Sequence, residues 1–122
     1  MKHLYKMNIK LFLLLFFISG AGIAQTSNSG TLYVSADTEF SVVNDFQNKE
    51  TGAYYNDGNA FIYSNFINNG LINYYGETGI TRFRGESIQE LSGSEESYLY
   101  DAEFNNNSQV VPFQLSGTLK ID

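Results

Sequence analysis

The sequence predicts an all-β protein, a single-domain, right-handed parallel β-solenoid of about five rungs. Beyond residue 30, short alternating segments rich in Phe, Tyr, Ile and Val follow one another, and none has apolar residues at helical spacing. Ser29–Val34 returns as Ser116–Ile121, which lies four periods of about 22 residues further along the chain. A Phe-x-Asn or Phe-x-Gly unit also recurs at intervals of about 20 residues, beginning at Phe46, Phe66, Phe83 and Phe104.

A period of about 20 residues lets each rung bury one Phe under the next and place one Asn above another at a corner. Stacked Asn side chains form hydrogen-bonded amide ladders, so we expect such a ladder here. An antiparallel β-sandwich is the alternative. Asn68–Gly70 followed by Leu71–Tyr74 also resembles a hairpin turn with a returning strand.

Residues 1–24 have the pattern of a secretory signal peptide. Three lysines precede an apolar run at residues 11–18, and small residues precede a cleavage position before Gln25. The run is shorter than the roughly 20 residues that a membrane span needs, so no span is expected after cleavage. We therefore predict a secreted or cell-surface protein, with a flexible lead-in at residues 25–30 and a β-solenoid domain at residues 31–122.

The chain that remains after cleavage is acidic and lacks several reactive side-chain types. It holds four cations and thirteen carboxylates, a formal charge of −9, and it contains no His, Cys, Met or Trp. The charge argues against a nucleic-acid partner, because phosphate backbones would be repelled. The missing His and Cys exclude Ser–His and Cys–His catalysis and the usual transition-metal sites. No disulfide is available, so stability has to come from packing.

Carboxylates remain as candidate chemistry. Glu86 with Glu90, or Asp101 with Glu103, could form the carboxylate pair of a polysaccharide-active enzyme, and the second pair should share one strand face. Scattered carboxylates on an acidic solenoid are more typical of its solvated surface. We therefore predict a non-enzyme and assign no catalytic residue.

Calcium is the cation that oxygen ligands would favour, and the candidates are Asp57–Asn59 and Glu95–Glu96. Neither stretch has the ligand spacing of a known calcium loop. No cofactor is therefore predicted, and calcium stays open as an alternative.

Paired tyrosines give a candidate binding surface. They occur at positions 54 and 55, at positions 74 and 75, and as Tyr98 with Tyr100. Because the first two pairs are separated by one period of the coil, Tyr54 and Tyr74 would stack on one wall and could hold sugar rings or a partner surface. Alternation favours a different reading, in which one tyrosine of each pair packs inward.

Arg82 and Arg84 flank Phe83, so both guanidinium groups should face solvent while the ring faces the core. They could grip an acidic glycan, but pairing with the chain's own carboxylates is favoured. The four candidate ligand residues are Tyr54, Tyr74, Arg82 and Arg84.

Residues 76–121 contain a recognisable order of Gly, Thr, Phe, Gln and Leu positions. The order Gly-x-Thr-Gly-x-x-x-Phe-x-Gly-x-x-x-Gln-x-Leu-Ser-Gly-Ser runs from Gly76 to Ser94. An aromatic strand, an Asn-Asn element and a closing Leu-x-Gly-x-Leu-x-Ile strand follow it, ending at Ile121. This order resembles the repeat region of Bacteroidota-type secreted surface proteins, and Asp45–Asn48 and Asn65–Gly70 are similar to the rungs that usually precede it there.

The resemblance implies an extracellular β-solenoid, usually the beginning of a longer adhesin-like protein exported by the type IX system with a C-terminal sorting domain. We expect the sorting domain to be absent here and the solenoid domain to be truncated at its C-terminal edge. The expected function is a non-enzymatic structural or adhesive module. A glycan-binding module and, less expected, a polysaccharide-active β-helix enzyme are the alternatives. Expected partners are an extracellular glycan, a surface protein, further rungs, or another copy joined at the open edge Leu115–Ile121.

Overall fold

The computed structural model describes residues 25–122, so the predicted signal peptide at residues 1–24 lies outside the described residues. The described chain consists of strands joined by turns and bends, without a helix, and so contains no helix that could cross a membrane. The strands are β1 Gln25–Asn28, β2 Thr31–Val34, β3 Glu39–Val42, β4 Asp45–Asn48, β5 Ala53–Asn56, β6 Asn59–Ile62, β7 Phe66–Asn68, β8 Leu71–Asn73, β9 Ile80–Phe83, β10 Gln89–Ser92, β11 Glu96–Leu99, β12 Asp101–Phe104, β13 Phe113–Leu115 and β14 Thr118–Ile121.

Successive strands are assigned in turn to three parallel sheets. Sheet 1 has the order β1-β4-β7-β10-β13, sheet 2 the order β2-β5-β8-β11-β14, and sheet 3 the order β3-β6-β9-β12. Every strand pairs in parallel with the strand three places along the chain. Three strands therefore make one rung, and the chain makes about five rungs of a β-solenoid.

This topology confirms the predicted parallel β-solenoid of about five rungs and overturns the sandwich alternative. Asn68–Gly70 joins β7 in sheet 1 to β8 in sheet 2, so it forms a corner of the coil rather than a hairpin turn. The duplicated segments contribute β2 and β14, the first and last of the five strands in sheet 2. Their spacing of four periods is confirmed.

Alternation along the strands builds the core. In β4, β5, β6 and β9 every second residue is buried, which places one side chain inside the coil and the next outside. The inward side chains stack from rung to rung and form one hydrophobic core of Val34, Val42, Phe46, Tyr54, Ile62, Phe66, Ile72, Phe83, Leu91 and Leu99. Burial of this apolar column is the main force holding the rungs together.

The four Phe units do not form a single column, contrary to the prediction. Phe46 stacks on Phe66 in sheet 1 with ring centroids 5.6 Å apart, whereas Phe83 stacks on Phe104 in sheet 3 at 5.1 Å. The step from Phe66 to Phe83 is too short to complete a rung. It carries the chain from sheet 1 only as far as sheet 3.

The predicted asparagine ladder is present in the lower three rungs. Asn28 Nδ2 donates to Asn48 Oδ1, and Asn48 Nδ2 donates to Asn68 Oδ1, each at 3.0 Å. Asn106, from the fourth Phe unit, lies outside this ladder and donates to Gln89 Oε1 at 3.1 Å. The ladder amides therefore supply hydrogen bonds to the backbone oxygens at the inner corner between sheets 1 and 2.

Residues 25–30 were expected to be a flexible lead-in, but Gln25–Asn28 forms β1 and pairs with β4. The pairing uses backbone groups, so the polar side chains of this stretch do not prevent it. Asn28 adds a side-chain bond to the ladder, which fixes the end of the strand.

Candidate functional site

Tyr54 and Tyr74 do not form a common wall. Tyr54 is fully buried in β5 and lies opposite Ile72, not Tyr74, because the step from β5 to β8 is shorter than the constant period assumed from the sequence. Tyr55 points outward, as the alternation reading predicted for the first pair. In the second pair neither ring is buried, and Tyr75 is 69% exposed.

An aromatic platform forms instead from Tyr33, Tyr55 and Tyr75, which we call the tyrosine patch. Tyr33 and Tyr55 are paired neighbours on the outer face of β2 and β5. Tyr75 lies beyond the end of β8 and stacks on Tyr55 with ring centroids 4.2 Å apart and planes at 19°. Tyr33 packs edge-on against Tyr75 at 5.7 Å. The patch is therefore a cluster of two stacked rings and one edge-on ring on the outside of sheet 2.

Asp57 holds the tyrosine patch in place. Its Oδ1 accepts hydrogen bonds from the backbone N–H groups of Tyr75 at 2.9 Å and Gly76 at 2.8 Å. Its Oδ2 accepts a bond from the Tyr33 hydroxyl at 2.9 Å. One buried carboxylate thus fixes both the loop that carries Tyr75 and the ring beside it.

The protonation states of these groups follow from the same contacts. Burial alone would raise the pKa of Asp57, but the hydrogen bonds from Gly76, Tyr75 and Tyr33 outweigh it and lower the pKa. The hydrogen bond to Asp57 raises the pKa of Tyr33, and the neighbouring phenol of Tyr55 raises the pKa of Tyr75. At neutral pH the carboxylate is ionised and these two phenols are protonated, so the patch can both stack and donate hydrogen bonds.

The candidate calcium loop at Asp57–Asn59 is occupied by protein donors. Asp57 accepts the three bonds above, and Asn59 Oδ1 accepts one from Arg82 Nη1 at 3.0 Å. Within residues 25–122 no group of three or more His, Cys, Asp or Glu side chains is placed to hold a metal ion.

Tyr74 belongs to a separate contact near the top of sheet 2. It packs edge-on against Tyr100 at 5.6 Å, and its hydroxyl donates to Asp122 Oδ2 at 2.8 Å. Tyr98 donates to Glu96 Oε2 at 2.6 Å. The hydroxyls of Tyr74 and Tyr98 are therefore hydrogen-bonded to carboxylates of the upper rungs.

Arg82 and Arg84 project from the outer face of β9 on either side of buried Phe83, as predicted. Arg84 Nη2 lies 3.1 Å from Glu103 Oε1, and Arg82 Nε lies 3.6 Å from Glu103 Oε2. Both guanidinium groups also lie 5.2 Å from the centre of the Phe61 ring. The predicted pairing with the chain's own carboxylates is therefore confirmed, since a single Glu103 is shared by both arginines.

The candidate catalytic carboxylates are placed as follows. Asp101 and Glu103 project from the same strand, β12, but Glu103 is engaged by the two arginines and Asp101 accepts a bond from its neighbouring backbone N–H. Glu86 lines a shallow depression of about 730 Å³ beside Arg84. Glu90 accepts a long bond of 3.4 Å from Ser116 Oγ on the outside of sheet 1.

The sequence contained the signal for the patch residues that were missed. Tyr33 occupies an outward position of the duplicated Ser29–Val34 segment, and Tyr55 is the outward member of its pair. Identifying Tyr75 required knowing that the chain folds back after β8, which depends on a corner of irregular length.

Comparison with protein-family models, with curated proteins and with solved structures found no match to the chain.

Proposed function

We propose that this chain is an extracellular, non-catalytic adhesive module that holds neutral sugar rings on the tyrosine patch. The observation that carries the proposal is the exposed ring of Tyr75, stacked on Tyr55 and fixed by Asp57. Polarised C–H bonds on the flat face of a pyranose are attracted to the negative face of an aromatic ring. The hydroxyls of Tyr55 and Tyr75 supply hydrogen bonds at the edge of the same surface, since the Tyr33 hydroxyl donates to Asp57.

The charge of the chain selects among glycans. With a formal charge of −9 outside the predicted signal peptide, the chain repels uronates and sulfated sugars at long range. Asp57 adds a negative charge directly beneath the patch. Both arginines that could attract an acidic sugar are paired with Glu103. A neutral glycan is therefore the favoured ligand.

The solenoid suits an adhesive role because it presents the patch on a rigid support. Tyr33 and Tyr55 project from strands that are hydrogen-bonded to each other, so little side-chain and backbone freedom is lost on binding. A preorganised surface of this kind binds without a cleft. This favours holding a polysaccharide over cleaving it.

A glycan array that displays neutral and uronate-containing oligosaccharides tests the proposal. Wild-type protein should bind neutral members, and Tyr75→Ala should weaken that binding about tenfold, or about 1.4 kcal/mol, through loss of the stacking surface. Tyr63→Ala is the matched control, because Tyr63 is an exposed tyrosine outside the patch. An array without neutral binders, or equal binding by wild type and Tyr75→Ala, would reject the proposal.

The extracellular location rests on residues 1–24, where lysines precede a short apolar run and a small-residue cleavage position. The resemblance of residues 76–121 to the repeat regions of secreted surface proteins supports the same location. Mass spectrometry of the exported protein should give a chain that begins at Gln25. Retention of residues 1–24 in the exported protein would contradict cleavage at this position.

A further inference from the structure

The two ends of the coil differ in chemistry. The lowest strand of sheet 1 has the polar sequence Gln-Thr-Ser-Asn, from Gln25 to Asn28. At the upper end the last strands have apolar side chains on their core-facing side that remain exposed. Phe104 is 44% exposed, Leu115 60% and Ile121 47%. In the described residues no strand pairs with the upper edges of β12, β13 and β14. This upper face combines open strand edges with an uncovered section of core.

We propose that the upper face binds the upper face of a second copy of this chain, head to head about a twofold axis. Each strand of a three-sided coil lies about one third of a rung above the strand before it, so β12, β13 and β14 form three ascending steps. A twofold axis perpendicular to sheet 1, placed just beyond the open edge of β13, sets β13 beside its own copy and exchanges sheets 2 and 3. The high step β14 then meets the low step β12 of the second copy, and all three edges close at one spacing.

The backbone of β13 is oriented for this pairing. Pro112 accepts and Ser116 donates a hydrogen bond to β10, each at 3.0 Å. Because backbone groups alternate along a strand, the N–H and C=O groups of Phe113 and Leu115 point to the open edge. An antiparallel copy centred on Gln114 would pair Phe113 with Leu115 of the second copy, and Leu115 with Phe113. The residues with free backbone groups are also the residues with core-facing side chains.

Charge complementarity favours a second copy as the occupant. Lys120 projects from the outer face of β14, and Asp101 and Glu103 project from the outer face of β12. When inward side chains of β14 and β12 are aligned across the joint, one of the two registers with the fullest overlap places Lys120 opposite Asp101 of the second copy, the carboxylate of β12 that no arginine engages. The twofold axis repeats the contact, so the joint contains two pairs of opposite charge.

A single cysteine at position 114 tests the geometry, because the chain has no native cysteine after Gln25. Gln114 would face its own copy as a non-hydrogen-bonded pair with Cα atoms about 4.5 Å apart, which is within the range of a disulfide. Under mild oxidation Gln114→Cys should become a disulfide-linked dimer. The matched control is Glu90→Cys, one rung below on the same outer face, which should remain unlinked.

Sedimentation of the purified wild-type protein should show a concentration-dependent dimer. Lys120→Glu should weaken this dimer about tenfold, because it turns both cross-joint pairs into like-charge contacts. Lys49→Glu makes the same charge change on an exposed lysine of the lower rungs and should leave dimerisation unchanged. Wild-type protein that stays monomeric at high concentration, forms open-ended polymers, or leaves Gln114→Cys unlinked overturns the proposal. Circular dichroism confirms that each variant is folded.

Discussion

The lower three rungs and the upper two satisfy the same physical demands by different means. In the lower rungs sheet 1 advances by the same step each time, and identical residues stack as Asn28, Asn48 and Asn68. In the upper rungs the steps are longer, because the register places Leu91 on Phe66 and then Leu115 on Leu91. The identical residues that stack there, Leu91 and Leu115, are leucines, so they bring no side-chain amide to the corner.

The change occurs at Gly93, which lies one rung above Asn68 at the position where the ladder would continue. A Cβ atom on Gly93 would lie 1.9 Å from the backbone oxygen of Asn68, and the residue has a φ of +123° that favours glycine. The ladder therefore ends here, and Asn68 Nδ2 donates to the backbone oxygen of Glu96 at 3.0 Å instead. The next buried amide belongs to Gln89, which donates to the backbone oxygens of Ile62 and Ser64.

The corner carbonyls of this coil therefore need buried amides, but not the same amide in every rung. Repetition of one residue makes the lower rungs regular and visible as a period in the sequence. In the upper rungs, where corners vary in length, Gln89 and Asn106 supply the amides instead.

The largest loss of stability is expected from Asn48→Ala, which removes the middle amide of the ladder. Asn48 is fully buried, and besides its ladder bonds it donates to the backbone oxygens of Gly52 and Leu71. Its loss leaves several buried polar groups unpaired, so we expect the free energy of unfolding to fall by about 3 kcal/mol. Urea unfolding followed by circular dichroism measures it.

The matched variant in the upper rungs is Asn106→Ala. Asn106 lies at a more open corner, where water can replace its bonds to Gln89 and to the backbone oxygen of Ser87. A loss of only about 1 kcal/mol is expected. Equal losses from the two variants would show that the ladder adds nothing beyond ordinary corner hydrogen bonds.

The sequence predicted what depends on alternation and on repeated residues. The inward and outward faces of β9, the Asn48–Asn68 contact and the four-rung separation of β2 from β14 all follow from alternation or from identical segments. These predictions are correct because strand geometry fixes the alternation of inward and outward faces, and because identical residues in matching environments stack on one another.

The sequence did not predict what depends on corner length. Counting with a constant period placed Phe83 under Phe66 and Tyr74 under Tyr54, but the register pairs Phe66 with Leu91 and Tyr54 with Ile72. A corner can absorb extra residues on the outside of the coil without disturbing the strands, so its length leaves no periodic trace. The tyrosine patch was missed for this reason, because its third ring arrives through such a corner.

An effect similar in size to that of Asn106→Ala, but of opposite sign, is expected from Tyr54→Phe in the regular lower rungs. The Tyr54 ring packs against Phe46 at 5.1 Å, but its hydroxyl is buried without a hydrogen-bond partner in the described part of the chain. Removing that hydroxyl should raise the free energy of unfolding by about 1 kcal/mol at pH 7. Tyr63→Phe, on an exposed ring, should change it by less than about 0.5 kcal/mol.

The pH dependence sharpens this last prediction. Burial raises the pKa of Tyr54 above the value of about 10 in an unfolded chain, so the folded state keeps a proton that the unfolded state releases. The contribution of this group to stability is therefore complete below pH 10 and is lost as the pH rises above it. Because phenylalanine does not titrate, the advantage of Tyr54→Phe over wild type should grow between pH 9 and about pH 11 in urea unfolding. A variant less stable than wild type at both pH values would mean that the hydroxyl has a partner inside the core.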